Sequence, residues 1–206
     1  MEKLKLSEIM DMGQTYGVNL DKAIIYLAAE IGPALNMELR MRVDLIKIYW
    51  GEILKKTLKK ITLFLSSPGG DASVILAFKD FFDGLEKEGI LVDVHVEGIC
   101  YSAATMLVAL ASGKRTATPN SRFMVHELQI QGVGGTATQT KSTSKEIEFL
   151  VDRLADLYAD LSLRGKKTKA EKIKMHKTWD GYMAAETYLS SDEAKDLGLI
   201  DEIVLK

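Results

Sequence analysis

Between residues 60 and 126 short apolar runs alternate with helical segments, and the first run stops at a sharp turn signal. Residues 60–65 are rich in β-formers and end in Ser66-Ser67-Pro68-Gly69-Gly70-Asp71. A helix is predicted from Ala72 to about Glu88. Residues 90–96 then alternate, with Val92, Val94 and Val96 on one face and Asp93, His95 and Glu97 on the other. After Gly98 a helix of small residues is predicted over 102–112, and two short strands, 115–118 and 122–125, flank Pro119-Asn120. Strand then helix, repeated, restricts the chain to an α/β fold with a mostly parallel sheet covered by helices. Ligands of such sheets bind beyond the C-terminal strand ends. Gly70 and Ser102 both stand at such ends.

Upstream, residues 22–30 read as a buried strand and its exit. Residues 37–56 carry Leu39, Val43, Ile46, Trp50 and Ile53 at alternating spacings of four and three, which predicts a helix. Residues 1–20 lack a clear period. The expected organisation is an N-terminal arm over 1–22, ordered by a partner if at all, and one domain over 23–206. Downstream, residues 129–136 are glycine-rich and could not pack a core. Residues 137–164 read as a long helix with Ile147, Leu150, Val151, Leu154, Leu157 and Leu161 along one stripe. From the pattern alone, this helix either projects as an arm onto something else or folds back on its own domain.

Composition narrows the function classes. The 206 residues, 47% hydrophobic, suit one domain with or without an arm. A formal net charge of -2 gives no basic footprint for nucleic acid. The lone Cys100 excludes an intramolecular disulfide and fits a reducing compartment. No apolar run follows the first lysines, as a secretory signal would need, and the longest apolar stretch, near 103–111, is too short to span a bilayer. These features predict a soluble cytoplasmic protein.

Three segments carry candidate chemistry. In Gly98-Ile99-Cys100-Tyr101-Ser102-Ala103-Ala104 a serine opens a helix after a strand and a glycine, where backbone N–H groups are unpaired and favour a developing oxyanion. A plain helix N-cap is the structural alternative. In Ser67-Pro68-Gly69-Gly70 two glycines permit positive φ and close approach. The Gly70 N–H could be one half of an oxyanion hole and the Ala103 N–H the other; an ordinary turn is again the alternative. His126 follows a short apolar strand at 122–125 and is the best base for Ser102. Of the other two histidines, His95 lies on the polar face of its strand, solvated or structural, and His176 lies in a lysine-rich surface stretch. A carboxylate must orient the imidazole. Asp180 and Glu186 are the candidates, and spacing does not decide between them.

Taken together, SPGG, GxxxSA, GKR-x3-PNSR-x2-VH, a long helix and SSDEAKDLGLID resemble the Clp protease proteolytic subunit (ClpP) family over about residues 23–205. The resemblance implies a crotonase-like spiral of ββα units with a protruding handle, a strand plus a long helix, over about 127–164. It implies Ser102 as nucleophile, His126 as base, and Gly70 and Ala103 as oxyanion donors, without a cofactor or metal. Anchored on Ser190-Ser191-Asp192-Glu193-Ala194, the family's triad Asp falls on Glu186, with Asp180 as the alternative through a segment, 165–190, longer than usual. Gly69, Gly132 and Gly134 are expected to bind substrate backbone. The family assembles heptameric rings into a fourteen-subunit chamber that receives unfolded polypeptides from an AAA+ unfoldase. Ala103 and Glu127-Leu128 depart from the usual Met after the Ser and Gln-Pro after the His, and the family's axial-pore loop is not recognisable in 1–22. Such divergent copies also resemble phage-encoded Clp-like peptidases. Two rival readings are an inactive ring subunit that assembles with an active partner and a crotonase-fold acyl-CoA enzyme. A serine–lysine variant would need Lys114.

Overall fold

The computed structural model describes residues 6–129, 136–163 and 168–205. Among these, eight strands form one sheet. Strand β1 (Val18–Asn19) runs antiparallel to β2 (Ile24–Leu27), which runs parallel to β3 (Lys60–Ser67). The long β4 (Leu91–Tyr101) lies parallel to β3. Its first half pairs with β5 (Arg115–Ala117) and its second half with β6 (Arg122–Val125), both parallel. Strand β7 (Thr187–Ser190) closes antiparallel on β6, and β8 (Glu202–Ile203) pairs with β5.

The fork in β4 has a local cause. Leu65 pairs with Val96 and Ser67 with Cys100, so β4 carries extra residues at Glu97-Gly98-Ile99. Gly98 takes φ +88 inside this irregularity, and a Cβ there would meet Ser66 Oγ at 3.2 Å. A bulge of this kind bends a strand and re-aims its end. Here the bend carries Cys100 and Tyr101 away from β5 and onto β6. The sequence predicts the strand only to Val96; the structure extends it past Gly98 to Tyr101.

The alternating valines of β4 face the core together with Ile61, Leu63 and Leu65 of β3. Helix α1 (Leu6–Thr15), α2 (Pro33–Ile48), α3 (Ile75–Lys87) and α4 (Ala103–Leu110) contribute to the same core through Ile9, Leu39, Ile46, Phe78, Phe82 and the fully buried α4. Pro33 opens α2, where a missing N–H is harmless, so the helix starts before the predicted residue 37. After Ile48 it widens into a π-helical turn, Tyr49–Ile53. That turn is tied to the N-terminal segment: Tyr49 Oη donates to Asp21 at 2.5 Å and Trp50 Nε1 to the Leu20 carbonyl at 2.8 Å.

One expectation changes. The segment 6–22, read as an arm outside the domain, packs into it: Ile9, Val18 and Leu20 are buried and β1 joins the sheet. Its apolar residues are shared between one helix and one short strand, so no single period emerges. His95, solvated or structural by its sequence, takes the structural alternative. Its Nδ1 lies 2.7 Å from Thr116 Oγ1 and its ring meets Phe64 edge-on, because a β5 neighbour and a β3 aromatic cover that stretch of the strand face.

The later turns of helix α5 (Ala137–Ser162) fold back on this chain's own domain. Leu154, Ala155, Leu157 and Tyr158 are buried in this chain's own core, where α5 meets α4 and α6 (Lys169–Ala184). Its earlier turns are mostly exposed, Phe149 included. A handle strand would fall at 130–135, outside the described residues. Trp179 of α6 is fully buried, stacks on Tyr158 with ring centroids 4.6 Å apart, and donates from Nε1 to Ser162 Oγ. The short α7 (Ser191–Asp196) starts at a capping box of Ser190 and Glu193. Among the described residues no helix is long and apolar enough to cross a membrane.

Trp179→Ala should remove the contact that seats α6 on α5. A loss of about 3–5 kcal/mol is expected for a fully buried aromatic, read as a lowered urea midpoint.

Candidate active site

The turn after β4 sets the site. Ser102 is the N-cap of α4 and holds φ +52, ψ −128, a left-handed conformation that is rare for a residue with a Cβ. Three contacts fix it. Its N–H donates to the Met124 carbonyl of β6 at 2.7 Å. Its C=O accepts from the Thr105 N–H at 2.9 Å and from Thr105 Oγ1 at 2.6 Å. The Gly69 turn closes from the third side, where an added Cβ would stand 2.6 Å from the Tyr101 carbonyl oxygen and 2.7 Å from Ser102 Cβ. Gly69 itself holds φ +98. Only glycine meets both demands.

His126 follows β6 directly. Its Nε2 lies 2.7 Å from Ser102 Oγ. With that nitrogen unprotonated, the hydroxyl donates to it and the ring proton sits on Nδ1. The residue order β4–Ser102 and β6–His126 produces this contact because β4 and β6 run parallel and side by side, from Ile99↔Arg122 to Tyr101↔Met124.

Two backbone N–H groups stand at the same cleft. Ala103 is the first residue of α4, so its N–H has no intrahelical acceptor. Ile31 donates to the Gly69 carbonyl and accepts from the Asp71 N–H, each at 2.8 Å. That bridge occupies the neighbours of Gly70 and leaves its own N–H turned away from Ile31. Gly70, Ser102, Ala103 and His126 line one open cavity of ≈ 740 Å³. Met106, Met124, Leu154 and Met183 give this cleft an apolar wall.

The carboxylate is different. His126 Nδ1 is buried and has no hydrogen-bond partner among the described residues. The β6–β7 ladder ends at Val125↔Thr187, and Glu186 lies in the turn just before β7. Glu186 is exposed, holds φ +47, and does not bond the ring. Asp180 is exposed on α6 and does not line the cleft. Lys114 is paired with Glu202 beside Lys60 and Asp93, away from Ser102. Gly69 does not line the cleft either; its N–H donates to Ser67 Oγ and its carbonyl accepts from Ile31. Gly132 and Gly134 lie outside the described residues. His176 sits on α6 and pairs with Asp156 at 3.0 Å.

Sequence reasoning passed over Thr105 and Tyr158. Thr105 is a buried hydroxyl in an otherwise apolar helix, and that oddity was its signal. Its Oγ1 is hydrogen-bonded to the Tyr158 hydroxyl of α5. Burial pushes the Tyr158 phenol well above its ordinary value, so it stays protonated. Burial likewise pushes the Cys100 thiol up, which makes it an inert neighbour of the site rather than a nucleophile.

A family model described as Clp protease matches residues 13–206. The chain belongs to the Clp protease family. It is 34% identical over 149 residues to a protein of Bacteroides thetaiotaomicron named ATP-dependent Clp protease proteolytic subunit, and 33% identical over 149 residues to one of the same name from Bacteroides fragilis. Each alignment covers 72% of this chain, and 61% and 65% of the two relatives, so the chain spans less than two thirds of their length. The mixed α/β fold is the one this family membership leads one to expect.

Gly69→Ala should displace the Ser102 turn. A destabilisation on the order of 1–3 kcal/mol from the positive φ is expected, with loss of hydroxyl reactivity at Ser102 in a serine-directed probe assay. Gly84→Ala is the control: nothing lies within 4 Å of its added Cβ inside α3, and it should be neutral or stabilising.

Proposed function

We propose that this chain is a serine endopeptidase subunit that hydrolyses peptide bonds of unfolded polypeptides inside a ring chamber. The single observation that carries the reading is the 2.7 Å contact between Ser102 Oγ and His126 Nε2 at the mouth of a cleft. The Clp protease family match and the names of the Bacteroides relatives support it.

His126 takes the Ser102 proton as Oγ attacks the scissile carbonyl carbon. The Gly70 and Ala103 N–H groups hold the oxyanion that forms. The tetrahedral intermediate collapses, the peptide C–N bond breaks, and His126 protonates the leaving amine. Water, deprotonated by His126, then attacks the acyl carbon; the bond to Oγ breaks, the carboxylic product leaves, and His126 returns the proton to Oγ. No cofactor enters these steps. Glu186 is the proposed orienting carboxylate, with Asp180 as its alternative; a place just before β7, the strand paired with β6, supports Glu186. The acid must move onto Nδ1–H for full activity, since removal of a triad acid can cost on the order of 10⁴ in turnover. Gly132 and Gly134 are proposed to bind substrate backbone as an added strand. The exposed early turns of α5, with Phe149, suit ring contacts in a handle over 127–164. Heptameric rings, an AAA+ unfoldase partner and a cytoplasmic setting complete the proposal.

A second reading, a weakly active or inactive ring subunit, is supported by His126 Nδ1, which has no hydrogen-bond partner among the described residues. The Ser–His contact speaks against acyl-CoA chemistry, which would not need that pair.

A fluorophosphonate probe distinguishes these. Labelling of wild type at Ser102, lost in both Ser102→Ala and His126→Ala, is expected, with Glu186→Ala lowering peptide turnover far more than Asp180→Ala. An assembled wild type that is not labelled would support the inactive-subunit reading.

A further inference from the structure

The catalytic turn is held by a hydrogen-bond chain that begins on another helix. Ser102 C=O accepts from Thr105 Oγ1 at 2.6 Å, and Thr105 Oγ1 is bonded in turn to the Tyr158 hydroxyl, 53 residues along the chain. A threonine hydroxyl has one proton. It goes to the Ser102 carbonyl, so Tyr158 donates its own proton to Thr105 Oγ1. Both side chains are buried. Tyr158 is fixed by its stack on Trp179, centroids 4.6 Å apart and planes 18° apart.

The carbonyl at the end of this chain belongs to the same peptide unit as the Ala103 N–H. A peptide unit is planar, and its C=O and N–H point in opposite directions. Whatever aims the Ser102 carbonyl therefore aims the Ala103 N–H. A threonine near a helix start bonding back to the cap carbonyl is a common local feature. The Tyr158 contact is not local: it ties the plane of that peptide to α5.

We propose that Thr105 and Tyr158 are positioning residues that lock the Ser102–Ala103 peptide plane and thereby aim the Ala103 N–H at the oxyanion. This rests on the peptidase reading above. The pair acts through backbone orientation and touches no reacting atom. Its effect belongs to the transition state, where the oxyanion exists, and not to substrate binding.

Stability and function should separate here. Removing both partners of a buried hydrogen bond by apolar groups of the same shape can be nearly neutral for folding. The double variant Thr105→Val/Tyr158→Phe should therefore keep a melting temperature close to wild type while losing turnover. In the assembled full-length protein, with a fluorogenic peptide, Thr105→Val is expected to lower kcat about tenfold and leave KM within about twofold. That is milder than the roughly 10²–10³ of deleting an oxyanion donor, because the donor is tilted and not removed. Tyr158→Phe should lower kcat about threefold, and Thr105→Ser, which keeps the hydroxyl, should restore it to within about twofold of wild type. Because the two groups act in series, the double variant should lose no more than Thr105→Val alone. An unchanged kcat in Thr105→Val, a fall carried by KM, no rescue by Thr105→Ser, or additive losses would each overturn the proposal. Should Thr105→Val not assemble, Tyr158→Phe makes the same test.

Crystal structures read the peptide plane without needing activity. In Thr105→Val the Ser102 carbonyl should rotate, read as a change in ψ of Ser102 from −128 with a compensating change in φ of Ala103. A plane that keeps its direction overturns the proposal even if wild type shows no turnover. Absence of Ser102-dependent turnover in wild type with a rotated plane in the variant would instead sink only the peptidase reading.

Discussion

Ser102 carries a Cβ and still holds φ +52, a conformation that costs on the order of 1–3 kcal/mol unless its surroundings over-determine it. Three separate parts of the chain do so: β6 through the Met124 carbonyl, the Gly69 turn by contact, and α4 through Thr105. The cleft depends on this turn. It lifts Oγ toward His126, leaves the Ala103 N–H open at the helix start, and requires a glycine at 69 so that the two turns can touch.

The sheet makes that turn possible. The bulge around Gly98 lets one strand serve two neighbours, β5 with its first half and β6 with its second. Without the bend, the end of β4 would continue beside β5, and His126 would have no parallel strand to bring it to Ser102. The core valines of β4 and the helices behind them anchor the strand. The buried Arg115, paired with Asp201 at 2.6 Å, fixes β5 to the C-terminal segment on the far side of the fork. A buried pair of this kind contributes geometry more dependably than net stability.

The site is unevenly finished. The Ser102–His126 contact and the two backbone N–H groups at Gly70 and Ala103 are set by strands and a helix start. Neither candidate carboxylate reaches the ring: Asp180 is exposed on α6, and Glu186 rides on the short connection between α6 and β7, where it takes a positive φ and faces solvent. Elements built from ladder hydrogen bonds are placed by the fold itself, whereas a side chain on a connecting turn depends on what packs against that turn.

Much of this was legible in the residues. The alternating runs announced an α/β sheet, and the strands at 60–65 and 122–125 fall where the pattern puts them. Ser102, His126, Gly70 and Ala103 were legible as candidates, each at a strand end or helix start and together through the family's motifs, and the structure lines one cleft with all four. Which of the two alternatives holds for His95 was not legible, since burial of a polar strand face is decided by Phe64 and Thr116 from other strands. The N-terminal segment was not, since its few apolar residues acquire a partner only when β1 meets β2. The Thr105–Tyr158 link and the empty place at His126 Nδ1 were invisible for the same reason. The sequence by itself determined which groups could act, because residue type and local turn chemistry travel with the chain. Tertiary structure alone decided which of them meet, because a hydrogen bond of 2.7 Å between residues 24 positions apart exists only once β4 and β6 lie side by side.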